Sequence, residues 1–335
     1  MIIYRLGSLG DTTIALPFFN RIRQLYPKSE LILVTNENAS VKASSVESLI
    51  DGTGLIDHTI FYPGGTRDIR DIMRLFLRLR QTGAIDLVYL AEPRGSRTSL
   101  WRDIAFFRMC GLRNIHCAPI RHDLYDCMVD QTSGLEEMEI ERLARSFRAL
   151  APIDLHRPEL WELHLRADEV KAADAILAGA GRHMFISIGL GGKAPEKDWG
   201  TENWKRLIGC LGERFPNLGM AVVGSADEKT RADDVLTLCT GPKINACGRL
   251  LPRQSAALLR QSAAFVGHDT GPMHLAASQS VPVIAIFGSH NRPRRWHPFG
   301  RKHVVFHDVD NIQNIRVEDV LKALLVVLEG KRQNP

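Results

Sequence analysis

The sequence has no apolar run long enough to cross a membrane, and it has no internal repeat or low-complexity tract. Only four residues precede Arg5, and a glycine-rich turn follows it, so the sequence does not predict the apolar segment of a secretory signal. The six cysteines form no CxxC pair. These absences argue against a membrane-spanning, secreted or disulfide-stabilised protein, and they predict a cytoplasmic location with buried, reduced thiols.

What is present is the composition of a folded globular protein, with 44% hydrophobic and 24% charged residues among 335. This length suits two domains of ordinary size with a cleft between them. The formal net charge of +5 favours anionic partners such as phosphate-bearing substrates. Because the basic residues are not clustered as in a dedicated nucleic-acid binder, no nucleic-acid partner is predicted.

Short β-branched runs alternate with longer amphipathic stretches, the pattern of parallel sheets covered by helices. The predicted strands are IIYR, ELILVT, DHTIFY, AIDLVYLAE and RNIHCA, then HMFISIGL, GMAVVG, AAFVGH and VPVIAIFG. Helices are predicted to begin near Asp11, Ala39, Thr66 and Arg97, and to cover 135–150, 202–214, 226–238 and 252–261. Two prolines in APIDLHRPELWELHL interrupt the periodicity and indicate a linker. We therefore predict two doubly wound α/β domains, 1–160 and 161–335, with the last helix as a candidate to pack back toward the first domain.

Ligands of doubly wound domains bind at the loops that leave the carboxyl ends of the strands. The most informative loop follows AAFVG and reads HDTGPMHLAASQS, which predicts a helix N-cap at Asp269 or Thr270 with glycine and proline in the first turn. Free amides and the positive end of this helix suit a diphosphate. An ordinary capped helix is the competing interpretation. We favour a ligand site because His274 shares the turn and Gly271 allows close backbone approach.

Two further loops carry charged side chains. In GLGGKAPEKDW, Lys193 and Lys197 could neutralise a leaving phosphate or could simply be solvated. In VVGSADEK, Asp227 and Glu228 could accept hydrogen bonds from ribose hydroxyls or could be ordinary acids of a first helical turn. Neither loop decides the function alone.

The loop RLGSLGD at residues 5–11 matches neither GxGxxG nor GxxxxGK[ST], which argues against a dehydrogenase or a P-loop enzyme. Asp11 stands where the next helix is predicted to begin. It is either the N-cap of that helix or a general base that faces the second domain.

Arginines dominate two segments of the first half. The segment TRDIRDIMRLFLRLRQ predicts an amphipathic helix, whose basic face either is solvated or contacts anionic lipid or a phosphorylated saccharide. Its arginines are Arg67, Arg70, Arg74, Arg78 and Arg80. Arg94 and Arg97 lie in AEPRGSR at a strand end, where an acceptor would bind. The grouping of Cys110, His116, Cys117, His122 and Cys127 fits no common zinc spacing, so metal binding there is the less favoured alternative.

The segments RLGSLGDTTIALPFFNRIRQLYP, GLGGKAPEKDW, VVGSADEK and GHDTGPMHLAASQSVPVIAIFG occur in an order and spacing that resemble glycosyltransferase family 9. This family contains the ADP-heptose:lipopolysaccharide heptosyltransferases. The resemblance spans nearly the whole chain, and its most specific part is DTGPMHLA combined with the N-terminal GxxGD. The segment HNRPRRWHP is more basic and aromatic than is usual for the family at this place.

The resemblance implies a GT-B fold, in which two Rossmann-like domains face each other across a cleft. It implies an inverting, metal-independent glycosyltransferase without a cofactor. Such an enzyme would move a sugar, in most cases heptose, from an ADP-sugar to a hydroxyl of a lipopolysaccharide core or related surface saccharide. An acceptor carried on a lipid would make the enzyme peripheral at the cytoplasmic face of the inner membrane.

The resemblance also implies roles for individual residues. Asp11 would be the catalytic base, and Lys197 would contact the phosphates or ribose of the donor. Donor-binding positions would be Ser8, Gly10, Lys193, Glu228, Leu250, Asp269, Thr270, Gly271 and His274. Among these, Glu228 would hold the ribose, Leu250 would lie nearest the adenine, and Asp269 would bind sugar hydroxyls. Acceptor-binding positions would be Arg67, Arg70, Arg94 and Arg97.

Two other functions stay open from the sequence alone. A sugar-nucleotide epimerase of similar fold would need an acid-base pair, and no acidic pair accompanies RLGSLGD. A non-catalytic nucleotide-sugar-binding protein of a polysaccharide assembly system would not need Asp11, Lys197 and Asp269 together.

Overall fold

The computed structural model describes residues 1–37, 46–93, 95–181, 183–192 and 194–333, so the helix start predicted near Ala39 lies outside the described residues. The chain divides into two compact units, Met1–His164 and Leu165–Pro335. Each unit contains a parallel sheet with helices, as the alternating pattern predicts. Within the described ranges, no helix is long and apolar enough to cross a membrane.

The sheet of unit 1 has its described strands in the order β3-β2-β1-β4-β5, all parallel. The strands are β1 (Ile2–Tyr4), β2 (Ile32–Asn36), β3 (His58–Tyr62), β4 (Asp86–Tyr89) and β5 (Asn114–His116). The helices are α1 (Leu9–Leu25), α2 (Glu47–Ile50), α3 (Ile69–Gln81), α4 (Arg97–Met109), α5 (His122–Tyr125) and α6 (Glu139–Phe147). The winding direction reverses between β1 and β4, so the loops after these two strands meet at the carboxyl edge.

The sheet of unit 2 repeats this arrangement, with the described strands in the order β11-β10-β9-β6-β7-β8. The strands are β6 (Phe185–Gly189), β7 (Gly219–Val222), β8 (Lys243–Asn245), β9 (Phe265–His268), β10 (Val283–Phe287) and β11 (Val304–His307). The helices are α7 (Ala167–Leu177), α8 (Thr201–Arg214), α9 (Lys229–Leu236), α10 (Pro252–Arg260), α11 (Gly271–Ser278) and α12 (Val317–Gln333). Here the winding reverses between β6 and β9.

The described part of the chain also contains short 3-10 helices, at Pro158–Trp161, Ala178–Ala180, Pro195–Lys197, Ala226–Glu228 and Ile312–Asn314. The first of them lies in the stretch predicted as a linker. That stretch packs on α1, because Asn20 Nδ2 donates to the carbonyl oxygens of Leu160 and Glu162 at 3.0 and 3.1 Å. The residues before His164 are therefore a packed part of unit 1.

The core of unit 2 is built on its central strands and on two fully buried tryptophans, Trp199 and Trp204. The α12 helix adds Leu324 and Leu328 to this core, and the Trp199 indole donates to the carbonyl oxygen of Ile315 at 2.8 Å. Burial of this apolar surface supplies about 25 cal/mol per Å². The C-terminal helix therefore packs against α8 and β10 of unit 2.

The free thiols differ in burial. Cys110, Cys117, Cys239 and Cys247 are buried, whereas Cys127 and Cys210 are half-buried. The prediction of buried thiols was therefore wrong for these last two.

Candidate functional site

In unit 2, three segments converge on the carboxylate of Asp269, which lies at the carboxyl end of β9. Thr270 is the N-cap of α11, so the predicted helix start at Asp269 or Thr270 is confirmed. Lys197 Nζ lies 2.5 Å from Asp269 Oδ2, and Asn291 Nδ2 donates to the same oxygen. His274 Nε2 lies 3.8 Å from Oδ1. Only 11% of the Asp269 side chain is exposed, so this cluster is nearly closed to solvent.

The charge of Asp269 is set by two opposing effects. Burial alone would raise the pKa of its carboxyl, but the hydrogen bond and charge of His274 and the charge of Lys197 outweigh burial and lower the pKa to about 2. Asp269 is therefore ionised at neutral pH. An ionised carboxylate can accept hydrogen bonds from sugar hydroxyls, and the ammonium beside it can also face a phosphate.

His268 fixes the loop that carries Lys197. The imidazole is fully buried, with Nδ1 3.0 Å from the carbonyl oxygen of Gly191, and Nε2 accepts from the backbone N–H of Trp199 at 3.1 Å. Burial lowers the pKa of His268 to about 4, so the ring is neutral and one nitrogen donates while the other accepts. The imidazole thus spans the two ends of the 191–199 loop.

Glu228 occupies a space that two glycines leave open. Ser225 donates its backbone N–H to the Glu228 carboxylate at 3.2 Å, and a Cβ at Gly191 or Gly224 would collide with that carboxylate. Burial raises the pKa of Glu228. The predicted ribose contact therefore stands beside the loop that follows β6.

The turn that carries Leu250 lies next to this segment. Gly248 adopts φ +69°, and a Cβ there would overlap Ala226 at 2.7 Å, so glycine allows the turn to touch the Ala226–Glu228 segment. Leu250 itself is half-buried. The structure thus brings the predicted adenine contact and the predicted ribose contact to neighbouring backbone segments.

In unit 1, Asp11 is part of the first turn of α1. The helix begins at Leu9 with Ser8 as N-cap, so the interpretation of Asp11 as the N-cap is wrong. Asp11 Oδ2 accepts from the backbone N–H of Ser8 at 2.6 Å and from its hydroxyl at 2.8 Å. Gly7 has φ +140°, and a Cβ there would lie 2.4 Å from the Asp11 Cβ. The glycine therefore makes room for the aspartate.

A buried arginine supports this turn. Arg5 is fully buried, and its guanidinium donates to the carbonyl oxygens of Leu90 at 2.7 Å and Asp11 at 2.5 Å. The same guanidinium lies 3.9 Å from Asp11 Oδ1. Burial lowers the pKa of Arg5, although the Asp11 carboxylate opposes this shift. Arg5 joins the loops after β1 and β4, where the winding reverses.

The other predicted positions are more dispersed. Gly10 is buried in the first turn of α1, while Arg67 and Arg70 are exposed at the beginning of α3. Arg97 is exposed at the first position of α4, with its guanidinium 5.6 Å from the Tyr125 ring. Lys193 and Arg94 lie outside the described residues.

Within the described ranges, no three His, Cys, Asp or Glu side chains come together as a metal site. Two members of the cysteine–histidine grouping have other partners. His116 pairs with Asp86 at 3.3 Å, and the Cys127 thiol donates to Glu139 at 3.7 Å.

Three residues of this site were not predicted from the sequence: His268, Asn291 and Trp296. Trp296 stands edge-on to His274 with ring centroids 6.3 Å apart, and Asn291 binds Asp269. Both belong to HNRPRRWHP, whose unusual composition was the available signal. His268 directly precedes DTG, but nothing in the sequence shows what the imidazole bonds.

Comparison with known proteins gives a consistent result. The family model "Glycosyltransferase family 9 (heptosyltransferase)" matches residues 122–324. The chain is 26% identical over 360 residues to lipopolysaccharide heptosyltransferase 3 of Escherichia coli K12, with 94% of each chain covered. It is also 26% identical over 162 residues to the lipopolysaccharide core heptosyltransferase OpsX of Haemophilus influenzae. That match covers 48% of this chain and spans only 44% of OpsX.

Solved structures show a similar fold. A glycosyl transferase family 9 protein from Veillonella parvula superposes with a TM-score of 0.74 at 18% identity, covering 98% of this chain and 97% of that one. The E. coli ADP-heptose heptosyltransferase II gives 0.70 at 18% identity, covering 99% and 100%. E. coli heptosyltransferase WaaC, solved with ADP, gives 0.63 at 15% identity, covering 98% and 100%. At these identities the likeness establishes the fold, which is the GT-B fold of the heptosyltransferases.

Proposed function

The chain belongs to glycosyltransferase family 9 (heptosyltransferase), and on that basis we propose that it transfers L-glycero-D-manno-heptose from an ADP-sugar to a hydroxyl of a lipopolysaccharide core or related surface saccharide. Its relative in E. coli K12 is a lipopolysaccharide heptosyltransferase, which supports the sugar, and the structures of WaaC with ADP and with ADP-2-deoxy-2-fluoro heptose support the nucleotide. One observation of this chain carries the proposal. It is the nearly buried Asp269 carboxylate, held by Lys197 and Asn291 directly before the amino end of α11.

On the donor side, the diphosphate lies at the first turn of α11, where Thr270 and Gly271 present backbone amides and the helix dipole favours negative charge. Lys197 faces the same place. As the bond between the anomeric carbon and the phosphate oxygen breaks, negative charge grows on the leaving ADP. Preorganised amides and a lysine stabilise that charge, and such electrostatic stabilisation is usually the largest contribution to catalysis.

The sugar and the nucleoside bind on either side of the diphosphate. Asp269 accepts hydrogen bonds from sugar hydroxyls, and the imidazole of His274 limits the space beside Oδ1. Glu228 accepts from the ribose hydroxyls, a common role for an acid in this place. Leu250 covers one face of the adenine. Selectivity for adenine over other nucleobases would then come from the turn at Gly248.

On the acceptor side, Asp11 takes the proton of the attacking hydroxyl. Ser8 orients the carboxylate through two hydrogen bonds to Oδ2. A carboxylate is a weak base, so proton transfer comes late, after the hydroxyl has begun to bond to carbon and has become acidic. Arg67, Arg70 and Arg97, together with Arg94, supply positive charge for an anionic acceptor. An acceptor on a lipid would bring the enzyme to the cytoplasmic face of the inner membrane.

Binding calorimetry tests the donor assignment. ADP, UDP, GDP and their sugar conjugates are titrated into the wild type, into Asp269→Asn and into Asp310→Asn, an exposed control in the same unit. We expect a preference for ADP, tighter binding of ADP-heptose than of ADP, and loss of that difference in Asp269→Asn alone. A preference for UDP or GDP, or a sugar contribution that survives Asp269→Asn, would contradict the proposal. Conversion of the donor to an epimer without acceptor would indicate an epimerase instead.

A further inference from the structure

The exposed face of α3 carries two parallel ridges of opposite character. Large apolar residues recur every four positions along this face. They are Ile69, Met73 and Leu77, whose exposed fractions are 69%, 48% and 51% respectively. Residues four apart lie above one another on a helix, so the three apolar side chains form one ridge. The opposite side of the helix is anchored in the core of unit 1 by Leu75 and Leu79. The apolar ridge is therefore held outward by packing.

Arginines form the second ridge. Arg70, Arg74 and Arg78 follow the apolar residues by one position and recur with the same spacing, so they lie about 100° further round the helix. All three are exposed. Five arginines and two aspartates lie between residues 67 and 81, a formal net charge of +3.

The two aspartates of this segment are already engaged. Asp68 caps the helix by accepting from the backbone N–H of Arg70 at 2.8 Å, and Asp71 pairs with Arg74 at 3.1 Å. At the other end, Arg80 lies over the Phe76 ring and donates to the carbonyl oxygen of Met109 at 3.4 Å. The side chain of Met109, at the end of α4, is itself largely exposed.

From these two ridges we infer that α3 docks unit 1 on a membrane surface with anionic headgroups. An amphipathic helix at a bilayer interface buries an apolar strip at the level of the headgroups and places Lys or Arg beside it. A helix that only meets water carries polar residues where Ile69, Met73 and Leu77 stand. Both aspartates of the segment are engaged within the helix, so the outward face presents positive charge beside the apolar ridge. Charge complementarity therefore selects an anionic lipid surface.

This inference does not require the proposed sugar transfer: the apolar ridge contains no residue assigned to the donor or the acceptor, and in the arginine ridge only Arg70 is also a proposed acceptor contact. A lipid-docking helix would serve any reaction on a membrane-borne substrate. The arginines at the beginning of α3 would face headgroup phosphates as well as the anionic groups of an acceptor.

Vesicle co-sedimentation of the full chain tests the inference. The probes are vesicles of phosphatidylcholine alone and of phosphatidylcholine with phosphatidylglycerol. Two triple variants remove one ridge each: Ile69→Ser/Met73→Ser/Leu77→Ser and Arg70→Gln/Arg74→Gln/Arg78→Gln. Matched controls make the same changes at exposed positions elsewhere, in Leu238→Ser/Val309→Ser/Val326→Ser and in Arg148→Gln/Arg214→Gln/Arg260→Gln.

We expect the wild type to bind vesicles with phosphatidylglycerol and to bind phosphatidylcholine alone weakly. Each arginine near an anionic surface strengthens binding about fivefold, so the arginine variant should bind about a hundredfold more weakly. The apolar variant should lose at least about tenfold, and the controls should keep most of the binding. Circular dichroism and the affinity for ADP, measured on every variant, show that folding and donor binding are intact.

Three results would overturn the inference. The wild type could fail to bind phosphatidylglycerol vesicles, or each control could lose as much binding as its α3 counterpart. The apolar variant could instead change the oligomeric state in analytical ultracentrifugation without changing vesicle binding, which would assign the ridge to a second copy of the chain. A failure of ADP binding in the wild type would contradict the proposed function and leave the vesicle result standing.

Discussion

His268 should make unit 2 sensitive to mild acid. Its pKa is about 4 in the folded protein, because the ring is buried, and about 6.5 in the unfolded chain. Between these values the unfolded chain binds more protons than the folded one, so the free energy of unfolding falls as pH falls. This shift corresponds to about 3 kcal/mol of stability, which is present above pH 6.5 and is lost as pH falls through about 4.

The environment of His268 supports this sign. The charge of Asp198 and the hydrogen bond to Gly191 favour the imidazolium, but burial outweighs both and Arg231 acts in the same direction as burial. Protonation would also turn Nε2 from an acceptor into a donor, opposite the N–H of Trp199. The folded protein therefore resists taking up this proton.

Urea unfolding at 25 °C, at several pH values between 7 and 4, measures the effect. Tryptophan fluorescence follows unfolding mainly in unit 2, which contains three of the five tryptophans, including the fully buried Trp199 and Trp204. His268→Asn replaces the ring with an amide that still offers one donor and one acceptor but does not titrate. The slope of stability against pH should fall by up to about 1.4 kcal/mol per pH unit relative to the wild type.

Two comparisons make the result specific. His183→Asn removes an exposed histidine of the same unit and should leave the slope close to that of the wild type. His297 also has a pKa lowered to about 4 by burial, so the wild-type slope contains more than one histidine and only the difference between variants isolates His268. If the free energy of unfolding fell with pH at the same slope in the wild type and in His268→Asn, the assignment of a neutral, bridging imidazole would be refuted.

Two further predictions concern the loop after β1. Asp11→Asn should lower kcat by about two to four orders of magnitude, the range for loss of a general base, while the melting temperature changes little. If Asp11 only stabilises the start of the helix, Asp11→Ala should instead cost about 1 kcal/mol of stability and leave turnover nearly normal. Gly7→Ala should destabilise unit 1 by about 1–3 kcal/mol in thermal unfolding and impair turnover, because φ is +140° there and the new Cβ meets Asp11. Gly65→Ala, at φ +72° with open space around its Cβ, is the matched control and should cost less.

The alternation of strands and helices could be read from the sequence because buried parallel strands need continuous β-branched runs. All nine predicted strands are present, with ends that differ by a few residues. The edge strands β8 and β11, the helix α7 and the short helix α5 were missed. The sequence of β8 is KIN, which has only one buried residue. Such a strand is defined by its neighbour in the sheet and leaves almost no periodic signal.

The start of α11 could be predicted because one loop contains the whole signal. The segment DTGPMH predicts the start of a helix that carries polar side chains, and Thr270 is the N-cap of that helix. The partners of Asp269 come instead from loops far along the chain, at Lys197 and Asn291. Which lysine reaches the carboxylate depends on how the 191–199 loop is held, and that depends on buried groups such as His268. The hydrogen-bonding partner of such a side chain is decided by tertiary structure and has no local pattern.

The hydrogen-bonding groups around each position explain why unit 1 has an arginine at position 5 and unit 2 has a histidine at position 268. Both side chains are buried where the winding of the sheet reverses, and both hold a loop beside an aspartate. Around Arg5 the nearby groups are acceptors, namely the carbonyl oxygens of Leu90 and Asp11 and the Asp11 carboxylate. Guanidinium, which only donates, matches such a set.

Around His268 the requirement is different, because Gly191 presents an acceptor and Trp199 presents a donor. A neutral imidazole offers one donor and one acceptor, so it satisfies both, whereas a cation in its place would direct a donor at the Trp199 N–H. A buried polar group left without a partner costs about 1–3 kcal/mol. The two positions are therefore not interchangeable: unit 1 needs a permanent charge beside Asp11, and unit 2 needs a group that stays neutral beside Asp269.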